Sequence, residues 1–240
     1  RELRRGGGGG GEEASLDIML SGGQGVAQIS SAPQGAAATG LGLSAINAAA
    51  EAGDAEAMYT MGMAHRPGGA MGESEEWAAY WLGRSADEGF AKAQLEVGML
   101  FLNGHGVDQN LETSATWVSA AANQGLADAQ YQMGLMLLGG IGVEANAEWA
   151  LYWLEKCVEQ EGPRAADAYF RIGIMYQFGQ GVEKHKGQAN FHFELAANLG
   201  HREAYVACST LARTGKFPAT PGNHPGTPAM IRRQLWGNPW

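Results

Sequence analysis

The sequence predicts an all-α chain, an α-solenoid of stacked helix pairs, and three observations predict it. A glycine inside an apolar segment recurs as Gly62, Gly98, Gly134 and Gly173, with Gly98 and Gly134 standing 36 residues apart. A Gly-x-Gly-Val turn recurs as Gly104 to Val107, Gly140 to Val143 and Gly179 to Val182. Trp117 and Trp153 keep the same interval of 36 residues. Self-similarity at this period marks a repeat array, in which each copy buries its apolar face only against its neighbours.

Composition fits a folded array and argues against several other classes. With 45% hydrophobic residues the chain is not wholly disordered. A net charge of −9 without any basic cluster argues against a nucleic-acid-binding face. Cys157 and Cys208 lie 51 residues apart, form neither metal-ligand spacing nor a disulfide framework, and read as reduced core residues. No apolar run approaches the ~20 residues that a bilayer-crossing helix needs.

Residues 1–11, RELRRGGGGGG, read as a flexible glycine-rich leader, because ordering a glycine run costs too much entropy without a partner. The chain opens on Arg1 rather than Met. A removed organellar transit peptide, placing the protein in a mitochondrion or chloroplast, is one explanation; a trimmed or incomplete sequence is another.

The solenoid is expected over 12–214. A degraded copy begins at Glu12, with its turn at Gly23 to Val26 and its ending at Ala49-Ala50-Glu51-Ala52-Gly53. The next runs from Asp54 to Phe90 with a drifted turn, Gly68-Gly69-Ala70-Met71. The copies from Ala91 and Ala127 are regular, and three residues are inserted near Gly162-Pro163-Arg164 before the copy from Ala166 to His201. A half copy, Arg202 to Gly215, closes the array, with Ala204 and Ser209 in the Ala and Gly slots.

Each copy reads as two helices. Ala129, Met133 and Leu137 recur at helical spacing in the first, and the paired glycines end it, since glycine readily takes the left-handed conformation at a C-terminus. The second carries Trp149 and Trp153 one turn apart, and Gly162 followed by Pro163 is expected to stop it. A glycine costs ~1 kcal/mol against Ala inside a helix, so its recurrence implies a packing reason. The reading is that it lets the tryptophan of the partner helix approach the backbone, each Trp filling an interhelical core.

These residues carry a family resemblance. The copies resemble Sel-1-like repeats, relatives of the tetratricopeptide repeat, over Glu12 to Gly215. The departures are the turn at Gly68, Cys157-Val158 in the Ala-Ala slot, and His192 in the Trp slot. The resemblance implies antiparallel helix pairs in a right-handed superhelix, about five repeats plus a capping helix. It also implies an adaptor or scaffold for other protein chains rather than an enzyme.

Chemistry offers little competition. The six histidines do not cluster, and His65, in the slot of Phe101, Leu137 and Tyr176, reads as core. No metal site, no cofactor and no catalytic residue is expected: neither G-x-S-x-G nor S-x-x-K occurs.

Two candidate contact surfaces remain. The slots flanking the in-helix glycine hold Glu96, Met99 and Leu100, then Gln132, Leu135 and Met136, then Arg171, Ile174 and Met175. In tetratricopeptide-like solenoids this helix lines the concave side, so the Met-rich stripe is a candidate partner groove; the alternative is that it packs between neighbouring helices. The second surface is the tail, 215–240, a Pro/Gly-rich arm with an apolar-basic end. Its anchor candidates are Ile231, Arg232, Arg233, Leu235, Trp236 and Trp240. The tail is expected to dock, either on its own solenoid or on a partner chain, and the partner is favoured. The functional expectation is a non-enzymatic interaction scaffold. The competing one is a permanently bound accessory subunit of a large assembly, in which Gly6 to Gly11 would be fixed by neighbours.

Overall fold

The computed structural model describes residues 41–215. The leader, the Gly23 to Val26 turn and the arm after Gly215 lie outside the described residues, as does the start of the array at Glu12. Within them the chain is helical with no strand. In order the helices are α1 (Leu41–Glu51), α2 (Ala55–Ala64), α3 (Glu75–Asp87), α4 (Ala91–Asn103) and α5 (Leu111–Asn123). Then come α6 (Ala127–Gly139), α7 (Ala147–Val158), α8 (Ala165–Phe178), α9 (Lys186–Asn198) and α10 (Arg202–Thr214). Each helix packs on the one before and the one after, which is the topology of a solenoid.

The pairs α2–α3, α4–α5, α6–α7 and α8–α9 are the four full copies, and their ends are written in the sequence. Second helices start at a polar cap: Ser74, Asn110, Asn146 and His185 each accept from the backbone N–H three residues on. First helices α4, α6 and α8 end on Gly104, Gly140 and Gly179 in the left-handed conformation, φ 73°, 64° and 75°. The second glycine of each turn has a different task. A Cβ at Gly106, Gly142 or Gly181 would overlap the backbone of Glu75, Leu111 or Ala147 respectively, the first residue of the preceding copy's second helix. The G-x-G pair therefore caps one helix and seats the turn on the previous repeat. In the drifted turn α2 ends instead on His65 in right-handed conformation.

The in-helix glycine does permit close approach, but not of tryptophan. A Cβ there would meet the residue one further along: Leu82 opposite Gly62, Val118 opposite Gly98, Leu154 opposite Gly134 and Phe193 opposite Gly173. Trp81 and Trp153 are buried beside this contact, whereas Trp117 is only half-buried. The stop of α7 also differs from expectation. It ends at Val158, four residues before Gly162, and Glu161 takes φ 48° where Gly89 and Gly125 stand in the two preceding copies. The inserted residues then place Arg164 at the start of α8, with its Nε donating to Asp128 at 2.5 Å and its Nη1 to Asp167 at 3.2 Å.

One apolar core runs through the middle of the array. It joins Val118 of α5, Met133, Met136 and Leu137 of α6, Trp153, Leu154 and Cys157 of α7, and Ile172 and Met175 of α8. A polar ladder bridges the copies beside it. Gln124 Nε2 donates to Gln94 Oε1 (2.7 Å) and to Gly89 O (2.9 Å). Gln160 Nε2 repeats this one copy later with Gln130 Oε1 (2.7 Å) and Gly125 O (2.8 Å).

Candidate functional site: the first-helix stripe and a cleft between α5 and α7

The stripe residues divide by burial. Leu100, Leu135, Met136, Ile174 and Met175 are buried, Met175 completely, and Arg171 is 9% exposed. Met136 and Met175 belong to the central core, and the Tyr131 hydroxyl pKa is raised by burial and tends to be lowered by the nearby Arg171. Glu96, Met99 and Gln132 are half-buried. Glu96 forms an ion pair with Arg66 of the preceding copy. The side chains one and two places after the glycine thus mostly pack between helices, and of the nine stripe residues Glu96, Met99 and Gln132 keep surface on this face, as Thr60, Met63 and Ala64 do around Gly62. The anchor candidates Ile231, Arg232, Arg233, Leu235, Trp236 and Trp240 lie outside the described residues.

Of the histidines, His65 and His192 are packed, while His105 and His185 are exposed and stand apart. His65 is 3% exposed and stacks on Trp77 with ring centroids 6.0 Å apart. His192, in the Trp slot, stacks on Tyr176 at 5.5 Å and 5°. Burial lowers the pKa of both rings. Burial pushes the Cys157 thiol up to about 11, so it is not a nucleophile at neutral pH. Among the described residues no group of three His, Cys, Asp or Glu side chains converges as a metal site would require.

A concavity among the described residues lies elsewhere: a cleft of about 690 Å3 between the second helices α5 and α7. Leu111, Glu112, Ala115 and Thr116 of α5 form one wall, and Trp149 and Trp153 of α7 the other. Met133 and Leu137 of α6 form the floor, and the turn from Gly140 to Asn146 closes one end. Its floor and its tryptophan wall are apolar, Thr116 and Asn146 add polar atoms, and its charged lining residues, Glu112 and Glu144, are both exposed and both acidic. The indole N–H of Trp153 is buried without an acceptor.

Register singles out one residue of the cleft wall. Position 116 is Thr, whereas the equivalent positions of the other full copies hold Tyr80, Tyr152 and Phe191. Thr116 is exposed at the cleft wall, and the rings at the equivalent positions are only partly covered, Tyr152 being 41% and Phe191 53% exposed. Sequence reading overlooked the cleft because it searched for what recurs. The signal was the exception, visible once the copies are aligned on their glycines.

The Sel1 repeat profile matches residues 55–90, 91–126, 127–160 and 166–201. The break at 161–165 coincides with the inserted residues before α8. No curated protein matches the chain. Among solved structures, a protective antigen of uropathogenic Escherichia coli with an SLR fold is 26% identical, with a TM-score of 0.67. That alignment covers 72% of this chain and 37% of the antigen, so the chain spans well under half of that protein's length. A Sel1 repeat protein from Oxalobacter formigenes shares the fold at 24% identity and TM-score 0.64, over 72% of this chain and 76% of that one. Four matched copies, stacked as this helical array stacks them, make the assignment: the chain belongs to the Sel1 repeat family.

Proposed function

We propose that the chain is a non-enzymatic scaffold that binds other protein chains through its solenoid surface, with its C-terminal arm as a docking segment. The observation that carries this reading is where four recurring glutamine side chains point, two buried (Gln94, Gln130) and two exposed (Gln124, Gln160). Gln94 and Gln124 donate to Ala86 O and Gly89 O of the preceding copy, and Gln130 and Gln160 donate to Ala122 O and Gly125 O, so they tie one copy to the next instead of converging on a reacting centre. A fold whose internal chemistry is spent on holding copies in register offers partners a rigid, repetitive surface. On the first-helix face that surface is carried by Glu96, Met99 and Gln132, with a methionine able to adapt its shape to a partner.

The test is affinity purification with cross-linking, comparing the wild-type chain with a Met99→Glu/Gln132→Glu variant of unchanged helical signal. Loss of specific cross-linked partners supports the scaffold reading at this face. An identical partner set, cross-linked at identical sites, rejects the face as the contact.

A second reading, the permanently bound accessory subunit, is supported by the outer side of α10. Tyr205 is 68% exposed and Val206 40%, where a following helix would pack in an inner copy. Constant stoichiometry with one large assembly through every purification step would favour it over reversible binding.

A further inference from the structure

We propose that the arm following Gly215 docks in cis in the cleft between α5 and α7, with an aromatic ring of its basic end standing in for the side chain that Thr116 lacks. This rests on the scaffold reading only in taking the arm to be a docking segment; the sequence favoured a partner as its destination, and the cleft supplies one within the chain. Three observations converge.

The first is shape. Every other full copy has a ring at this position, Tyr80, Tyr152 or Phe191, whereas Thr116 leaves the cleft wall without one and open to a ring from elsewhere in the chain. A cleft of about 690 Å3 falls in the range of pockets that enclose a ligand of several side chains' size. The arm carries Trp236 and Trp240, whose large apolar surfaces are costly to leave in water.

The second is charge. The cleft's charged lining, Glu112 and Glu144, is acidic. The 25 residues from Lys216 to Trp240 contain Lys216, Arg232 and Arg233 and no Asp or Glu, in a chain whose net charge is −9. Arg232 and Arg233 stand within four residues of Trp236, so a ring seated in the cleft brings them to the acidic rim.

The third is position and reach. Gly215 caps α10 in the left-handed conformation as Gly140 caps α6, and Gly140 itself lines the cleft, so the arm departs from the same edge of the array. Lys186 at the start of α9 donates to Gly215 O at 2.5 Å, which fixes that point of departure beside α9. From there to the α5–α7 interval is on the order of 20 Å, about two helix spacings. Residues 216–229, with Pro218, Pro221, Pro225 and Pro228, span roughly 40 Å when extended at about 3.1 Å per residue.

The experiment follows tryptic cleavage at Arg232-Arg233 in the full chain at low concentration. The expected result is slow cleavage in the wild type and at least tenfold faster cleavage in Thr116→Tyr, which fills the cleft with the residue its neighbours already accommodate. Trp236→Ala, which leaves the solenoid untouched, should accelerate cleavage similarly and keeps the test decisive if Thr116→Tyr folds poorly. Raised salt should also speed cleavage, by weakening the Glu112 and Glu144 contacts. Equal rates in wild type and both variants overturn the proposal. Protection that grows with protein concentration overturns the cis assignment and gives the cleft to the arm of a second copy. Neither result depends on the partner set at Met99 and Gln132, so this proposal and the scaffold reading can fail separately.

Discussion

At Gly134 two opposing effects can be weighed. Helix propensity alone favours valine over glycine by a few tenths of a kcal/mol. Sterics oppose it: a Cβ there would lie 2.9 Å from Leu154 Cγ and 3.3 Å from Ala150 O, and Leu154 is completely buried with nowhere to move. Overpacking costs about 1–3 kcal/mol, so it wins, and Gly134→Val should lower the denaturation midpoint in urea. A midpoint at or above the wild type's would remove the packing account of the recurring glycine. Glu161 presents the reverse case. It holds φ 48° at a slot that Gly89 and Gly125 fill at φ 85° and 87°. The left-handed conformation costs an L-residue roughly 1–2 kcal/mol, and glycine returns roughly 0.5–1 of it as extra entropy lost on folding. Glu161→Gly should therefore raise stability by about 0.5–1 kcal/mol, seen as a higher Tm. The buried histidines add a pH dependence with a definite sign. Burial lowers the folded pKa of His65 and His192 below the ordinary value of 6.5. Their contribution is present in full above the unfolded pKa and is lost as pH falls from there through the folded value. Tm should fall as pH is lowered through this window, and His65→Phe, which places in the slot the residue that Phe101 supplies one copy on, should flatten the fall.

At the scale of the helix pair, the tryptophans separate by depth. Trp153 is 4% exposed and sits in the central core, so Trp153→Ala should cost about 3–5 kcal/mol. Trp117 occupies the same slot one copy earlier but is half-buried, so Trp117→Ala should cost clearly less. Equal losses in denaturant melts would show that the slot, not the burial, sets the energy. This difference also marks what the sequence could and could not reveal. The period located the helix pairs, the G-x-G turns and the inserted residues before α8, because caps and glycines act through the local backbone and leave local marks. Which neighbour fills the space above Gly98 depends on how two helices rotate against each other. That rotation puts Val118 rather than Trp117 there. The same rotation turns Met136 and Met175 inward and leaves Met99 at the surface, although all three lie in one stripe of the sequence. The glutamine ladder was legible in principle: Gln94 and Gln130, and Gln124 and Gln160, recur at the repeat interval of 36 residues. It went unread because apolar periodicity does not register polar positions.

For the whole molecule, nearest-neighbour packing decides where the array opens first. In a solenoid each helix is stabilised by its own burial and by the interfaces on either side, so helices near an end lose one interface's worth of protection. The contrast between α8 and α10 is large. Nine residues of α8 are buried, including Phe170, Ile172 and Met175, whereas in α10 only Ala204 and Ala207 are. The interior helices α6 and α7 share one core with α5 and α8, and the Gln130–Gln160 bridge ties α7 back to α6. Local opening free energy should therefore fall from α6 toward α10, with native-state hydrogen exchange slowest in α6 to α8 and fastest in α10. The inserted segment before α8 tests whether this gradient has a step. Arg164 bridges Asp128 of α6 and Asp167 of α8 across the insertion, and its guanidinium lies over Tyr131 at 5.7 Å. These pairs are partly exposed and individually weak, so the apolar core should carry most of the coupling. Arg164→Ala should speed exchange in α8 to α10 only slightly while leaving α4 to α6 unchanged. If it instead uncouples the last three helices, so that they exchange together and far faster than α6, then the insertion divides the array and the salt bridges are what joins its two parts.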